Sequence, residues 1–503
     1  MTNTNTIYIV SASYLLQSIF GILFYIIIAR TLPAVEVGAI TLFLSFGTIF
    51  TIIFSLNLEF GFAHFISYIH GKTGKFAFPP FFMFLSAVMV IISFVSIVAL
   101  SSTISIVFFH SISYREIVIL MGIYVSETIG LGYLISILQG MQSFKNAALL
   151  NISYSALSMG IPIVLSVFHS QILMVSLGFP IGAGISVIFA ITFVINSKLS
   201  NEELENGMIK KFFNYITPVF LGSLFTSLMG TVDRIILPAL TNLTLSAVYT
   251  YSLTIATIVT AITAPFSFIL FPKISQHFGS SNPVELKQYS QGSTELFYFV
   301  GLPASIGAAI LSRQLLSVLV GGIYAEHYII LQIMVFSNSF FSFRPIITSI
   351  ILAVRRTRVY LYSGAAALVV NLLISIILIP GFGLFGAVAA SISAWGISTI
   401  PRMISLGSLT KHEFNLMPFM RMWVNAGLMA LAVIFTTGFF QTGLTSLFVP
   451  TFLGIILYIG FSLLNRPFSH DSHKLVELVL TNNNKISGFF VRIIMGKEFV
   501  RPD

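Results

Sequence analysis

The sequence predicts an all-α polytopic membrane protein with about fourteen transmembrane helices. Of the 503 residues, 56% are hydrophobic and only 8% are charged, whereas about one-quarter of an ordinary soluble protein is charged. Apolar runs of about 20 residues, the length that crosses a bilayer as a helix, recur along the chain. Lys and Arg concentrate in alternate connections between these runs. A soluble globular protein is therefore excluded.

The predicted spans follow one another closely, and their short connections contain the Gly, Pro and Asn that are typical of turns. The first run is longer than the apolar core of a signal peptide and has no clear cleavage site, so we interpret it as a span. In chain order the predicted spans are 7–29, 37–58, 81–109, 117–138, 147–168, 172–195, 212–240, 246–271, 293–311, 328–352, 360–380, 384–404, 422–440 and 446–464.

The distribution of basic residues predicts the orientation, because cytoplasmic connections are rich in Lys and Arg. With both termini in the cytoplasm, 20 of the 25 Lys and Arg residues fall in cytoplasmic segments and 3 in outer connections. The net charge of +9 is therefore spread over the cytoplasmic side, where it faces an anionic leaflet. This spread argues against nucleic-acid binding, and a multi-pass protein of the cytoplasmic membrane is expected.

The most polar internal stretch, NSKLSNEELENGMIKK, follows the sixth predicted span and suggests a division into two halves. Phe20–Phe24 in span 1 parallels Leu221–Phe225 in span 7, as in parallel repeats of a transporter. A plain long loop is the simpler interpretation of the same stretch. We predict an N-terminal six-helix lobe, a cytoplasmic linker, a C-terminal six-helix lobe, two additional helices and a cytoplasmic amphipathic tail, at 1–195, 196–211, 212–404, 405–464 and 465–503.

Four motifs resemble those of a known family, and they occur in the order and spacing of that family. They read IIIARTLPAVEVGAITLFLSF in spans 1–2, ILQGMQSFKNAALLNI after span 4, TVDRIILPAL in span 7 and LLISIILIPGFGLFGAVAASISAW in spans 11–12. Together they resemble the polysaccharide-biosynthesis flippases of the multidrug/oligosaccharidyl-lipid/polysaccharide exporter superfamily. The resemblance extends over about residues 7–465.

The resemblance implies two six-helix lobes arranged in a V, followed by two extra helices. It implies a lipid-linked oligosaccharide as cargo, which moves from the cytoplasmic to the outer face while its lipid tail stays in the bilayer. The expected partners are membrane lipid and the lipid-linked glycan, and a partnership with glycan-assembly enzymes stays open. The family suggests a monomer. No cofactor is expected, and coupling to protons or to sodium ions stays open.

Charged residues within the predicted spans are the first candidates for a functional site, since each costs about 2.5–3.5 kcal/mol near the bilayer centre. Glu127 in span 4 is interpreted either as a neutral buried carboxyl or as a proton, cation or cavity site. Arg344 in span 10 is either a structural ion-pair partner or a guanidinium that grips the diphosphate of the lipid carrier. Repeat matching places the two at similar depths, and our hypothesis is that they face one central cavity.

Asp233 and Arg234 are adjacent in span 7, so their side chains point about 100° apart. One is expected in the cavity and the other toward a neighbouring helix, and the family pattern favours Asp233 for function. Glu59 ends span 2. Gln17 and Asn57 have two interpretations. Their amides could line a path for sugars, or they could join membrane helices by hydrogen bonds. No catalytic or metal-binding residues are predicted.

Three other function classes were weighed against the flippase interpretation. A cation-coupled small-molecule or drug exporter of the same superfamily is the main alternative. A glycosyltransferase or polymerase needs a large outer loop or a carboxylate pair for a nucleotide sugar, and neither is visible. The chain has no Walker-type phosphate loop and no HExxH motif, and its lack of cysteine excludes disulfides and thiolate metal sites. A pure scaffold has no reason to keep charges inside its spans.

Overall fold

The computed structural model describes residues 4–169, 171–197, 199, 207–261, 274, 283–354, 356–410, 416–440, 443–469 and 472. Within these residues the protein is built from α-helices and forms no β-strand. The predicted linker 196–211 and the predicted amphipathic tail 465–503 lie largely outside the described residues. The predicted lobe boundaries are not tested by this description and stay predictions.

The first part of the chain, up to Ala261, forms nine helices in the described residues. Their bounds are α1 Thr4–Thr31, α2 Ala34–Ser55, α3 Leu58–Thr73, α4 Pro80–Phe108, α5 Arg115–Gly140, α6 Phe144–Phe168, α7 Ile172–Ile195, α8 Met208–Leu240 and α9 Leu243–Ala261. A single 3-10 turn, Ile112–Tyr114, precedes α5.

The described residues after 282 form the remaining helices. Their bounds are α10 Pro283–Ile310, α11 Ser312–Leu319, α12 Gly322–Ala325, α13 Tyr328–Phe341, α14 Arg344–Ala353, α15 Thr357–Phe382, α16 Leu384–Thr410, α17 Leu416–Thr437 and α18 Thr445–Asn465.

The helices confirm the predicted fold class. Within the described part of the chain, 11 helices are long and apolar enough to cross a membrane, and a bent pair brings the number to 12. That pair consists of α13 and α14, which meet at an angle of 44° inside the predicted span 328–352. Two predicted spans are not among these twelve. The span 7–29 falls within helix α1, and the span 246–271 begins in α9 and continues outside the described residues. The twelve spans found agree in order with the prediction.

Helix α3 was not predicted, and its separation from α2 has a local cause. Leu56 and Asn57 both adopt left-handed backbone conformations, with φ of 49° and 50°, which interrupt the helical hydrogen bonds between α2 and α3. The α3 sequence contains Glu59, two histidines and Lys72 within 16 residues, so it offers no apolar run of span length.

The chain divides into two compact units of helices. Unit 1 comprises residues 1–250 and the short segment 379–383, and unit 2 comprises residues 251–378 and 384–503. Helix α8 therefore belongs to unit 1. Helix α9 contributes its first eight residues to unit 1 and its remainder to unit 2.

Glycines allow α6 and α7 to pack backbone against backbone in unit 1. A Cβ atom on Gly182 would lie 2.5 Å from the carbonyl oxygen of Leu157, and one on Gly178 would lie 2.7 Å from the nitrogen of Pro162. Small residues at helix interfaces permit this close approach in membrane proteins, where lipid supplies no hydrophobic driving force between helices.

Replacement of Gly182 by Ala is expected to lower the unfolding temperature of the purified protein, because the added methyl group must push α6 and α7 apart. Overpacking of this kind costs about 1–3 kcal/mol. The matched control is Gly160→Ala on the partner helix, where a Cβ atom would have no neighbour within 4 Å. Equal unfolding temperatures for the two variants would show that the α6–α7 contact is not close.

The core of unit 2 joins α10 to the two last helices. The indole nitrogen of Trp423 on α17 donates a hydrogen bond to the Tyr298 hydroxyl on α10 at 2.6 Å. The Phe299 ring packs at a tilt of 45° against Tyr458 of α18 and at 48° against Phe468 beyond it. On the opposite faces of these helices large apolar side chains such as Phe435 are exposed, as is expected where helices meet lipid tails.

Candidate functional site

A polar pocket of about 450 Å³ lies within unit 1, inside membrane-spanning helices. Its volume falls in the range of ligand pockets, about 300–1,000 Å³. Helices α1, α2, α5, α6 and α8 supply the lining, in which hydroxyl groups predominate. The lining residues are Tyr25, Leu44, Ser45, Gly47, Thr48, Thr51, Ile52, Tyr124, Thr128, Tyr154, Met159, Thr231 and Arg234. We call this the hydroxyl pocket.

Tyrosine and threonine hydroxyls form a connected network on one wall of the hydroxyl pocket. The hydroxyls of Tyr124 and Tyr154 lie 2.8 Å apart, and Thr128 lies 3.4 Å from the Tyr154 hydroxyl. Tyr124 and Thr128 are one helical turn apart on α5, so both face the same side. The Thr128 hydroxyl also donates to the Tyr124 carbonyl oxygen at 2.8 Å, so the wall chiefly offers oxygens that can accept hydrogen bonds from sugar hydroxyls.

Helix α8 contributes the one charged side chain among the described residues that line the hydroxyl pocket. Thr231 and Arg234 are three residues apart and face the pocket together. The Nε atom of Arg234 is buried and has no hydrogen-bond partner in the part of the chain that the structure describes. The pocket thus presents a positive group with an unfilled donor.

Asp233 points away from this pocket, as the 100° separation from Arg234 requires. It is buried, with 4% of its surface exposed, and its Oδ2 accepts a hydrogen bond of 2.8 Å from the Tyr249 hydroxyl on α9. The structure places Arg234 in the pocket lining and Asp233 against a neighbouring helix. Which of the two carries function stays a prediction.

Replacement of Tyr249 by Phe is expected to destabilise the protein, because it deprives the buried Asp233 carboxyl of a donor. A lost hydrogen bond to a charged group costs about 1.5–3 kcal/mol. The measurement is the thermal unfolding of the purified variant. Tyr362→Phe is the control, since Tyr362 is 68% exposed. An equal unfolding temperature for both variants would contradict the role of Tyr249.

Glu127 lies on α5 beside the hydroxyl pocket but outside its lining. It is half-buried, and its Oε2 has no hydrogen-bond partner among the described residues. A Cβ atom on Gly184 of α7 would lie 2.9 Å from its Oε1, so the glycine makes room for the carboxyl group. This placement fits a carboxyl that can take up a proton or a cation.

Glu59 and Asn57 lie at the break between α2 and α3. Asn57 is buried, and its Nδ2 has no partner among the described residues, as is also true of the Glu59 Oε2. The Tyr133 hydroxyl on α5 donates to the Ser55 carbonyl at 3.0 Å and thereby ties this break to α5. Gln17 on α1 is half-buried and is not part of the hydroxyl pocket.

Arg344 begins α14 in unit 2, just after the bend from α13. Its Cζ lies 4.8 Å from the ring centroid of Trp395 on α16, a cation–π contact. Its Nη1 is buried without a hydrogen-bond partner in the described residues. Glu127 belongs to unit 1 and Arg344 to unit 2, and their placement in one cavity stays a prediction.

Two groups of site residues were missed by sequence reasoning. The hydroxyl-bearing residues Ser45, Thr48 and Thr51 recur every three residues on α2, a spacing that indicates a polar stripe on an apolar helix. Arg402, near the end of the predicted span 384–404, is one of the 20 basic residues counted as cytoplasmic, but it lies within α16 and is 6% exposed. Its position seven residues after Trp395 places both on one face of α16.

A second polar cluster in unit 2 surrounds Glu295 of α10, which is fully buried. Its Oε2 accepts hydrogen bonds from the Ser469 backbone N–H at 2.9 Å and from the Ser472 hydroxyl at 2.6 Å. Its Oε1 accepts from the Gln291 side chain at 3.1 Å. The carboxyl group thus fastens the segment that follows α18 to α10, and we interpret this cluster as structural.

No group of three metal-ligating side chains occurs among the residues whose placement is described.

Comparison with known proteins places these features in a family. The family described as "Polysaccharide biosynthesis protein" matches residues 4–278, more than half of the chain. The "Probable low-salt glycan biosynthesis flippase Agl15" of Haloferax volcanii is 25% identical over 227 residues, which are 44% of this chain and 48% of that protein. An uncharacterized membrane protein of Methanocaldococcus jannaschii is 24% identical over 267 residues, 51% and 50% of the two chains. The chain thus matches about half the length of these relatives.

Two solved structures share the fold over most of the chain. The lipid II flippase MurJ in an inward closed conformation has a TM-score of 0.71 at 16% identity, and the match covers 90% of this chain and 98% of that one. An inward-facing multidrug resistance MATE family transporter of the MOP superfamily has a TM-score of 0.65 at 12% identity, with coverage of 78% and 96%. At these identities the likeness concerns the fold.

Proposed function

Because the chain belongs to the polysaccharide biosynthesis protein family, a group of transporters in the multidrug/oligosaccharidyl-lipid/polysaccharide exporter superfamily, we propose that it flips a lipid-linked oligosaccharide. It is a multi-pass membrane transporter and not an enzyme. The proposed cargo is an oligosaccharide joined to a polyprenyl phosphate or diphosphate. It passes from the cytoplasmic to the outer face of the plasma membrane by alternating access.

The hydroxyl pocket is the observation that carries the proposal. Sugars are bound through many hydrogen bonds, and a wall of Tyr, Thr and Ser hydroxyls inside apolar helices provides them where water is scarce. Tyrosine rings also offer flat apolar faces to the sugar ring. A polar lining inside membrane helices is costly unless it serves a polar ligand.

A drug exporter of the same fold is the second candidate, and the charge of the pocket argues against cationic drugs as cargo. The lining contains Arg234 and no carboxylate among its described residues, so a cationic compound would be repelled. The same guanidinium favours an anionic group on the cargo, such as phosphate or a sugar carboxylate.

Glu127 is proposed to couple transport to a proton or sodium gradient, since its half-buried carboxyl has an unpartnered oxygen beside the Tyr154 wall. In Glu127→Gln proteoliposomes, flipping is expected to lose its response to an imposed gradient of either ion, because the amide cannot be charged. Glu116→Gln on the same helix is the control, as Glu116 is exposed. An unchanged gradient response in Glu127→Gln would remove this role.

The remaining proposals concern the orientation of the protein, its partners and its oligomeric state. Both termini are placed in the cytoplasm on the distribution of Lys and Arg. The partners are membrane lipid and the lipid-linked glycan, together with the enzymes that assemble the glycan on its carrier. We propose a monomer as the working unit.

Deletion of the gene in its host, followed by analysis of lipid-linked oligosaccharides, tests the proposed function. We expect lipid-linked glycan to accumulate on the cytoplasmic face and surface glycan to disappear, with rescue by the wild-type gene. Unchanged lipid-linked intermediates and surface glycan, combined with new sensitivity to small toxic compounds, would favour the drug exporter.

A further inference from the structure

The break between α2 and α3 contains a backbone conformation that residues other than glycine rarely adopt. Leu56 and Asn57 are both left-handed, with φ and ψ of 49° and 20° for the first and of 50° and 31° for the second. Such conformations are unfavourable for residues with a side chain, and they persist where the surrounding contacts enforce them. What these contacts leave unsatisfied indicates what the break can bind.

Buried oxygen atoms surround the break. The Tyr133 hydroxyl on α5 donates to the Ser55 carbonyl at 3.0 Å, and the Ser55 hydroxyl oxygen accepts the Asn57 backbone N–H at 3.1 Å. Each of these three residues is at most 4% exposed. Because the Tyr133 hydroxyl uses its only proton on the carbonyl, its oxygen has only lone pairs left for a further neighbour. The C-terminus of α2 adds backbone carbonyl groups that have no partner within a helix.

Two more polar atoms at the break lack a hydrogen-bond partner among the described residues, namely the Asn57 Nδ2 and the Glu59 Oε2. Asn57 directly precedes α3, where the side-chain oxygen of an Asn usually accepts an N–H of the first helical turn, but it makes no such bond. Because the two ends of an amide group have the same shape, a half-turn places its oxygen where its nitrogen lies. The break can thus present the amide oxygen of Asn57 beside the carboxylate of Glu59.

The charge of Glu59 decides the kind of ligand. No Lys or Arg in the described part of the chain forms an ion pair with it. The N-terminus of α3 is partially positive and the C-terminus of α2 is partially negative, and these two ends meet at the break, so their effects oppose each other. A buried carboxylate without a counter-charge is costly. A water molecule would satisfy the amide group but leave this charge, whereas a cation removes both deficits.

We propose that the α2–α3 break binds a monovalent cation of the size of Na⁺, held by oxygen atoms of Glu59, Asn57 and Tyr133. Interrupted membrane helices supply such sites in transporters, because their unpaired backbone carbonyls add further oxygen ligands. One carboxylate balances a single positive charge, so a monovalent ion leaves the buried site neutral. The close burial of Asn57 and Tyr133 favours Na⁺ over the larger K⁺. The bound ion joins the start of α3 to α5, whichever cargo the protein carries.

Amide hydrogen exchange of the purified full-length protein, titrated with NaCl, tests the site. The protein is held in nanodiscs of zwitterionic lipid, and choline chloride keeps the ionic strength constant. The reporter amides are those of Asn57 and Phe60, whose N–H groups donate to the Ser55 hydroxyl oxygen and to the Asn57 carbonyl oxygen at 3.1 Å each. We expect saturating sodium to slow their exchange at least about 10-fold, and KCl to act only at concentrations at least about 10-fold higher.

Glu59→Gln keeps the size of the side chain and removes its charge. The sodium concentration that half-protects the reporter amides is expected to rise at least about 10-fold in this variant, since a charged ligand oxygen is lost. Glu116→Gln on α5 is the matched control, because Glu116 is exposed. Should Glu59→Gln fail to fold, Tyr133→Phe removes a neutral ligand oxygen and should also weaken the protection by sodium.

Asn57→Asp distinguishes a cation from a water molecule or a proton at the break. A second carboxylate beside Glu59 is an additional ligand for a cation, so sodium should protect the reporter amides at least as well as in the wild type. Without a bound cation two buried carboxylates repel each other, and this variant should unfold at a lower temperature in choline chloride than in NaCl. Equal unfolding temperatures in the two salts would show that no cation binds between the carboxylates.

Three further results overturn the proposal: reporter amides that do not respond to sodium, equal protection by KCl and NaCl, or protection that is unchanged in both Glu59→Gln and Tyr133→Phe. Sodium protection confined to the amides around Glu127 or Asp233 would place the ion elsewhere and refute the site at the break. None of these measurements involves transport, so their failure leaves the proposed flippase function unaffected.

Discussion

We expect the Arg234→Gln variant to fold normally and to lose most of its glycan transport. Arg234 is the only charged residue in the described lining of the hydroxyl pocket, and its Nε has no protein partner there. The guanidinium group therefore has one donor that no described protein group uses. The loss of a charged hydrogen bond of about 1.5–3 kcal/mol corresponds to about 10- to 100-fold weaker interaction with the cargo.

The measurement is rescue of surface glycan in the deletion strain, together with flipping in proteoliposomes. Arg234→Lys keeps the charge and should retain part of the activity, which a purely structural role would not predict. Arg358→Gln is the control, because Arg358 is exposed in the first turn of α15. Full transport by Arg234→Gln would show that the hydroxyl pocket does not contact the cargo.

Replacement of Glu295 by Ala is expected to release the segment after α18 and to give the largest loss of stability among the substitutions considered. The carboxyl group accepts three hydrogen bonds, from Gln291, Ser469 and Ser472. The buried Ser469 backbone N–H would lose its acceptor, at about 1–3 kcal/mol, whereas the Gln291 amide and the Ser472 hydroxyl would keep their contacts with the Ser469 hydroxyl. The protein should therefore unfold at a temperature several degrees lower.

Amide hydrogen exchange of the segment Arg466–Ser472 provides the second readout, since the Ser469 N–H is protected by Glu295. Exchange at this amide should accelerate strongly in Glu295→Ala. Glu326→Ala serves as the control, as Glu326 is exposed in the same unit. If exchange and unfolding temperature both match the wild type, Glu295 does not hold this segment.

The span pattern could be predicted from sequence because the lipid bilayer imposes length and apolarity on each helix. Twelve of the fourteen predicted spans are found in order in the described residues. The break inside the tenth predicted span was not predicted, although Pro345, which lacks a backbone N–H, stands at the start of α14. Helix α3 was not predicted because its charged residues and histidines interrupt any apolar run long enough to span a membrane.

The site was less predictable, since composition does not tell which face of a helix meets which neighbour. The helix period predicts that Asp233 and Arg234 point in different directions, but it does not tell that Asp233 meets Tyr249 of α9 and that Arg234 lines the pocket. Tyr124 and Tyr154 lie on different helices, so their positions in the sequence do not show that their hydroxyls meet. Arg402 looked like a cytoplasmic charge because a basic residue near the end of a span usually marks its boundary.

The most direct test of the central claim is flipping by the purified protein. Proteoliposomes would be loaded with the lipid-linked oligosaccharide isolated from the deletion strain, and a membrane-impermeant glycan-modifying enzyme would report how much of it changes leaflet. The account predicts rapid exposure of the glycan with wild-type protein and about 10- to 100-fold slower exposure with Arg234→Gln. Exposure no faster than in protein-free liposomes would contradict the assignment of a lipid-linked glycan as the cargo.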